Sequence, residues 1–169
     1  GVLIMSTMDN LAAAFAGESQ ANRKYLAFSQ KAKKDGFEKV SRLFNVVAEA
    51  ETLHALKHLA VMKQINSTAE NLKAAVEGEH HEFTEMYPAF LEEAEKEGNT
   101  QAKTSFHFAN EVEKIHHKLY EKALAAVLNN QDMDVDKFYL CPVCGYVEEN
   151  EAPDRCPVCG APGANFAEY

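Results

Sequence analysis

The first 140 residues contain no cysteine. That excludes a disulfide-stapled body and leaves all four cysteines as two C-x-x-C pairs in the last 29 residues. In a reducing compartment such pairs read as a metal site. Proline is nearly as scarce, with Pro88 alone before Pro142, so long helices meet a single built-in obstacle. Long apolar runs are missing too. The longest at the N-terminus, Val2-Leu3-Ile4-Met5, is far short of a signal-peptide core or of the roughly 20 residues of a membrane span. A cytoplasmic protein starting at Met5 or Met8 is therefore the expectation. Positive charge is the last deficit: 17 Lys and Arg against 26 Asp and Glu leave a net charge of −9. Nucleic acid and anionic membranes are excluded as partners, since neither would be attracted.

What is present is helical periodicity. With 169 residues, 46% of them apolar, there is room for one bundle and a small appendage. Val40, Leu43, Phe44, Val47, Glu51, His54, His58, Val61 and Ile65 step by three and four, so they line one helix face. Phe106, Ala109, Glu113, His116, Tyr120, Ala123 and Val127 repeat the pattern. Each stripe carries Glu-x-x-His at its centre. A charge on a core-facing stripe is costly unless it is paired or binds metal. Two such units on buried faces are what a carboxylate-bridged di-metal site in a helix bundle requires.

Two more helices complete the set. Ser6 to Asn10 offers caps for a helix with the stripe Leu11, Phe15, Glu18, Asn22, Tyr25 and Ser29, ending at Gly36. The second helix spans about residues 37–64. Ser67-x-x-Glu70 is a capping box for the third, whose stripe is Leu72, Ala75, Val76, Glu79, Glu82, Met86 and Phe90, with a bend expected at Pro88. Gly98-Asn99 ends it, and the fourth runs from about Thr100 to Leu128. Residues 129–137 are a polar linker, and 138–169 form a mini-domain that needs metal to hold it. The expected domains are thus a bundle over 1–128, the linker, and the cysteine domain.

The inward polar set is Glu18, Glu51, His54, Glu79, Glu82, Glu113 and His116. A weak repeat relates its halves: Glu18 to Glu51 is 33 residues and Glu79 to Glu113 is 34. Each pair is centred on a glycine turn, near residues 35 and 96, which puts its members level in an antiparallel hairpin. These ligand types suit non-haem iron or manganese, with zinc also compatible. His58 reads as a hydrogen-bonded core residue; His80, His81, His107 and His117 read as surface residues. Cys141-Pro-Val-Cys144-Gly145 and Cys156-Pro-Val-Cys159-Gly160 are matched knuckles for one tetrathiolate ion, iron or zinc.

The segments AFAGESQANRKY, AEAETLHALKH, EGEHHEFTEMYP, EVEKIHHKLYEKA and YLCPVCGY with CPVCGAP together resemble the rubrerythrins. The resemblance covers nearly the whole chain. It implies an all-α, ferritin-like four-helix bundle carrying two non-haem irons, followed by a rubredoxin-like Fe(Cys)4 domain on Cys141, Cys144, Cys156 and Cys159. It further implies reduction of hydrogen peroxide to water, with electrons from a reductase or rubredoxin passing through the tetrathiolate. Glu51 and Glu113 resemble the bridging carboxylates, and Glu18 and Glu79 the terminal ones. His116 resembles the fixed imidazole, while His54 and Glu82 resemble the pair that exchange as iron changes oxidation state. Tyr25 and Tyr87 match tyrosines that hydrogen-bond the carboxylates. A ferritin-like ferroxidase that sequesters iron is the competing reading, and a one-electron inlet argues against storage. A zinc-bearing interaction module is the third.

Chain length constrains the topology. A helix of about 27 residues is roughly 40 Å long, whereas the six residues between Ile65 and Leu72 reach at most roughly 20–25 Å. Either the third helix turns back beside the second, or it pairs with a second chain. The resemblance favours exchange: a helix-swapped homodimer, each site taking Glu18, Glu51 and His54 from one chain and the remaining four ligands from its partner.

Overall fold

A computed structural model describes residues 6–169; Gly1 to Met5, including the Val2–Met5 run and the candidate start at Met5, lie outside the described residues. The chain forms two compact units that divide between Asn66 and Ser67.

The first unit is a hairpin of α1 (Thr7–Lys34) and α2 (Glu38–Val61). Ser6 and Asp9 form a reciprocal capping box: the Asp9 N–H donates to Ser6 Oγ at 3.1 Å and the Ser6 N–H to Asp9 Oδ2 at 2.9 Å. The helix stops where Gly36 takes φ 85°. There the Phe37 N–H reaches back to Ala32 O and the Gly36 N–H to Lys33 O, the paired bonds of a Schellman turn. The two helices meet through small residues: Asn22, Ser29 and Ala32 face Ser41, Ala48 and Ala55, all buried. Ser29 Oγ donates to Ser41 O at 2.9 Å, and Asn22 Nδ2 to Ala48 O at 2.7 Å. Small side chains bring the backbones close enough for these bonds. The stripe expected to be buried therefore packs only in part: Phe44, Val47, Glu51 and His58 are half-buried. Val40, Leu43, Val61 and Ile65 are exposed, Leu43 at 62%, because two helices can cover only the face between them.

The second unit contains α3 (Thr68–His81), a π turn (Glu82–Met86), α4 (Tyr87–Lys96) and α5 (Thr100–Leu128), then a small sheet. Ser67 and Glu70 form the expected capping box, and Gly98, φ 67°, ends α4 with the same Schellman pair as Gly36. The π turn is the departure from one bent helix. The Tyr87 N–H bonds to Glu82 O, five residues back, just ahead of Pro88. The widened turn spares the proline ring a clash with the preceding turn. It also explains the unequal repeat. Tyr25 to Gly36 and Tyr87 to Gly98 are both 11 residues, and Gly36 to Glu51 and Gly98 to Glu113 are both 15. The extra residue therefore lies between Glu79 and Tyr87, within the stretch that holds the π turn.

Strands β1 (Phe138–Leu140), β2 (Val147–Glu149) and β3 (Ala167–Glu168) form an antiparallel sheet in the order β2-β1-β3. Its core is Cys141, Tyr146 and Cys156 together with Val112 of α5, 2% exposed, with Ile115 packed alongside. The cysteine lobe thus shares a core with α5. The fold class is the expected one, all-α helical hairpins followed by a small cysteine-bearing sheet.

Candidate metal centres

The knuckle turns decide the sulfur positions. Gly145 adopts φ 87° and its N–H donates to Cys141 O at 3.0 Å, folding each C-x-x-C loop back on itself; Gly160 repeats this with Cys156 O at 2.9 Å. Cys141 Sγ and Cys159 Sγ lie 3.6 Å apart, Cys144 Sγ and Cys156 Sγ 3.5 Å, and all four sulfurs fall within 4.8 Å of one another. These separations are far beyond a disulfide bond of about 2.05 Å. They match the edge of a tetrahedron around an ion held at roughly 2.3 Å from sulfur. Burial opposes ionisation of Cys156, yet the N–H groups of Cys159 and Val158 bring it down to about 7. Burial pushes the Cys144 thiol up. A cation that ionises all four thiolates fits this donor set.

The helical ligands gather in two trios. In the first unit Glu18, Glu51 and His54 offer atoms within 4.8 Å of one another. His54 Nδ1 is 2.9 Å from Glu51 Oε2 and 3.7 Å from Glu18 Oε1. In the second unit Glu79, Glu113 and His116 do the same. His116 Nδ1 is 2.8 Å from Glu113 Oε2, and its Nε2 lies 3.0 Å from Gly145 O in the first knuckle. Burial, then the hydrogen bond and charge of Glu113, push Glu79 up to about 7. Burial also opposes ionisation of Glu113, but bonds to His116 and Glu79 outweigh it and hold Glu113 low. The Glu113 carboxylate in turn raises His116. Two carboxyl groups sharing a proton beside an imidazole form a site that a divalent cation would complete.

Glu82 opens the π turn beside this trio; burial, then the Glu113 charge, raises its pKa. Tyr25 packs its ring against Phe28 and Phe44, at 6.3 and 6.1 Å between centroids. Tyr87 packs against Phe90 and Phe106, at 6.2 and 6.3 Å. Burial raises Tyr87, followed by the charges of Glu82, Glu113 and Glu79. His80, His81 and His107 are exposed as expected. His117 is not: its side chain is 15% exposed, with Nδ1 3.1 Å from Val76 O and its ring against Phe83. Sequence reasoning also missed the Gly145 carbonyl, which sits 29 residues from His116 and carries no side-chain signal.

A sequence model of the rubrerythrin family matches residues 9–124, and one for the rubredoxin-like domain of rubrerythrins matches residues 139–167. The chain belongs to the rubrerythrin family. It is 36% identical to rubrerythrin-2 of Clostridium acetobutylicum, across 96% of this chain and 96% of that protein. It is 37% identical to nigerythrin of Nitratidesulfovibrio vulgaris, across 97% of this chain and 87% of that one. The solved structure of fully reduced, all-ferrous nigerythrin superposes with a TM-score of 0.59 at 36% identity, covering 98% of this chain and 88% of that one. As in other rubrerythrins, the carboxylate and imidazole groups fit a di-iron site, and the four cysteines fit a rubredoxin-like iron. No helix among the described residues is long and apolar enough to cross a membrane.

Proposed function

We propose that this chain is a peroxide reductase, converting hydrogen peroxide, two protons and two electrons into two waters. The observation that carries the reading is the 3.0 Å contact between His116 Nε2 and Gly145 O, which joins the carboxylate trio to the cysteine knuckle. An iron-storing ferroxidase has no use for such a link. The helical carboxylates and imidazoles would hold two irons and the four cysteines a third, and these would supply the redox chemistry, an electron pair at the former and single electrons at the latter.

The chain's own residues have distinct tasks in this reading. Glu51 and Glu113 would hold metal as the bridging carboxylates, and Glu18 and Glu79 as the terminal ones. His116, donating its Nε2–H to Gly145 O, is fixed in ring orientation and tautomer, which leaves Nδ1 for metal. His54 and Glu82 would be the exchangeable ligands. Glu82, which burial and Glu113 keep protonated to higher pH, holds the proton that the departing oxygen takes up. Tyr25 and Tyr87 steady the carboxylates. Residues 1–128, 129–137 and 138–169 act as ligand body, linker and electron inlet, fed by a cytoplasmic reductase or rubredoxin.

The assembly we propose is a helix-exchanged homodimer. The six residues from Met62 to Ser67 that join α2 to α3 are too few to cross a bundle. The exposed Val40, Leu43, Val61 and Ile65 give one protomer an apolar face for its partner. Each site would then combine Glu18, Glu51 and His54 of one protomer with Glu79, Glu82, Glu113 and His116 of the other. The test is anaerobic reduction followed by one equivalent of peroxide. Both centres should reoxidise, with two electrons consumed per peroxide. Oxidation and retention of added ferrous iron, with the tetrathiolate left reduced, would favour the ferroxidase.

A further inference from the structure

The lobe touches α5 at three places, and they differ in kind. Val112 and Ile115 enter the cysteine core. One turn on, His116 meets the Gly145 carbonyl. Beyond that contact the surfaces part around an apolar cavity of about 580 Å³, walled by Leu119, Tyr120 and Ala123 on α5 and by Phe138, Leu140 and Val147 on the sheet. Alongside the cavity, between the Tyr120 and Ala123 positions of α5, Lys122 Nζ bridges to the sheet, donating to both carboxylate oxygens of Glu149 at 2.8 and 2.6 Å. Lys122 lies seven residues after Ile115, so both project from one side of α5. Glu149 ends β2, opposite Phe138 on the cavity wall. Among the described residues no other ion pair joins α5 to the lobe.

We propose that the Lys122–Glu149 ion pair is a strut that keeps the lobe from rocking about its Val112–Ile115 core, and so keeps the Gly145 carbonyl on His116. Both are positioning residues for electron transfer between the two iron centres. The cavity makes the strut necessary, because side-chain packing does not fill the space between α5 and the sheet beside the pair. The contact that it protects is sensitive. A shift of about half an ångström takes a 3.0 Å bond past hydrogen-bond length. The pair has the modest strength of a half-exposed one: both carboxylate oxygens accept, with the Lys122 side chain 49% exposed and that of Glu149 21%.

This rests on the electron route proposed above, but not on the identity of the oxidant. The test uses oxidised iron-loaded protein, with one electron injected photochemically at the tetrathiolate and its return followed by visible absorption. Lys122→Met and Glu149→Gln should each slow the return about two- to fivefold, the range open to an ion pair of this exposure. The charge-reversed double variant, Lys122→Glu with Glu149→Lys, should restore it. High salt should slow the wild type and leave the single variants unchanged. In protein reloaded with zinc alone, the Tyr146 amide resonance should move in each single variant and return in the double variant, because that amide shares its peptide with the Gly145 carbonyl. Single variants with wild-type rates and an unmoved Tyr146 resonance would overturn the strut alone. Slow single variants that neither charge reversal nor salt affects would overturn its electrostatic basis. A wild type whose tetrathiolate never passes its electron on would overturn the route and the strut together.

Discussion

The two helical hairpins are built alike and finished differently. Both close on a three-residue turn, both carry Glu on the first arm and Glu-x-x-His on the second, and both stack a Tyr-x-x-Phe against a phenylalanine across the hairpin. Yet His54 is 58% exposed and His116 is 25% exposed. The second hairpin has an extra residue, taken up as a π turn that starts at Glu82, and a lobe whose knuckle carbonyl holds His116. The first has neither. Under the function proposed above, the first hairpin would offer the imidazole that lets go, and the second, held by Gly145 O, the imidazole that stays, with an extra carboxylate beside it. In that reading, asymmetry between otherwise matched arms is what would separate a site that changes ligands from one that only stores metal.

The most drastic way to break the comparison is to strip the second hairpin of its electron inlet. Cys141→Ser with Cys144→Ser should abolish donor-coupled peroxide turnover while metal analysis still finds the helical site loaded. Undiminished turnover would sink the route. Next in size, Glu82→Gln keeps the π turn and removes the exchangeable carboxylate. Turnover should fall by about 10²-fold, as for the loss of a proton-transfer group, with iron content unchanged; wild-type turnover would make Glu82 structural.

The histidines sharpen the contrast further. His116→Ala should weaken metal binding in both oxidation states by about tenfold or more. His54→Ala should weaken it mainly in the reduced state, as read by metal content after dialysis of each form. Equal losses would erase the distinction between the arms.

The smallest effect is one of pH on metal-free protein. Glu79, raised to about 7, and His116, also raised, bind more protons folded than unfolded. Stability should therefore fall as pH rises from about 5 to about 8. Metal displaces those protons, so its uptake should strengthen over the same window. Glu79→Gln should flatten the thermal-melt profile in the lower part of that range; an unchanged slope would assign it elsewhere.

Much of this was legible because it is local. Capping boxes at Ser6 and Ser67, stops at Gly36 and Gly98, and both Glu-x-x-His units are set by residues within a turn or two of one another. The lengths of 33 and 34 mark a repeat of the two hairpins that differs by one residue. They did not say where, since a π turn has no composition of its own and the nearby Pro88 suggested a bend instead. The exposure of Val40 and Leu43 is not legible, because periodicity reports which residues share a face, not how much of that face finds a neighbour. Ser41, Ala48 and Ala55, which do pack, are too small to stand out by hydrophobicity. The Gly145 carbonyl was beyond reach for a different reason: a backbone acceptor looks the same at every position.

The short turns have a kinetic consequence. Asp35 to Phe37 and Glu97 to Asn99 are all that separate the arms of each hairpin, so the contacts that build them are close in sequence and should form fast. Under the proposed exchange, the metal site then waits on an encounter between two finished chains. Its assembly is second order in protein, and dilution would leave well-folded hairpins holding half a site each. Such half-sites bind iron weakly, so a newly made chain would escape loading until a partner arrives.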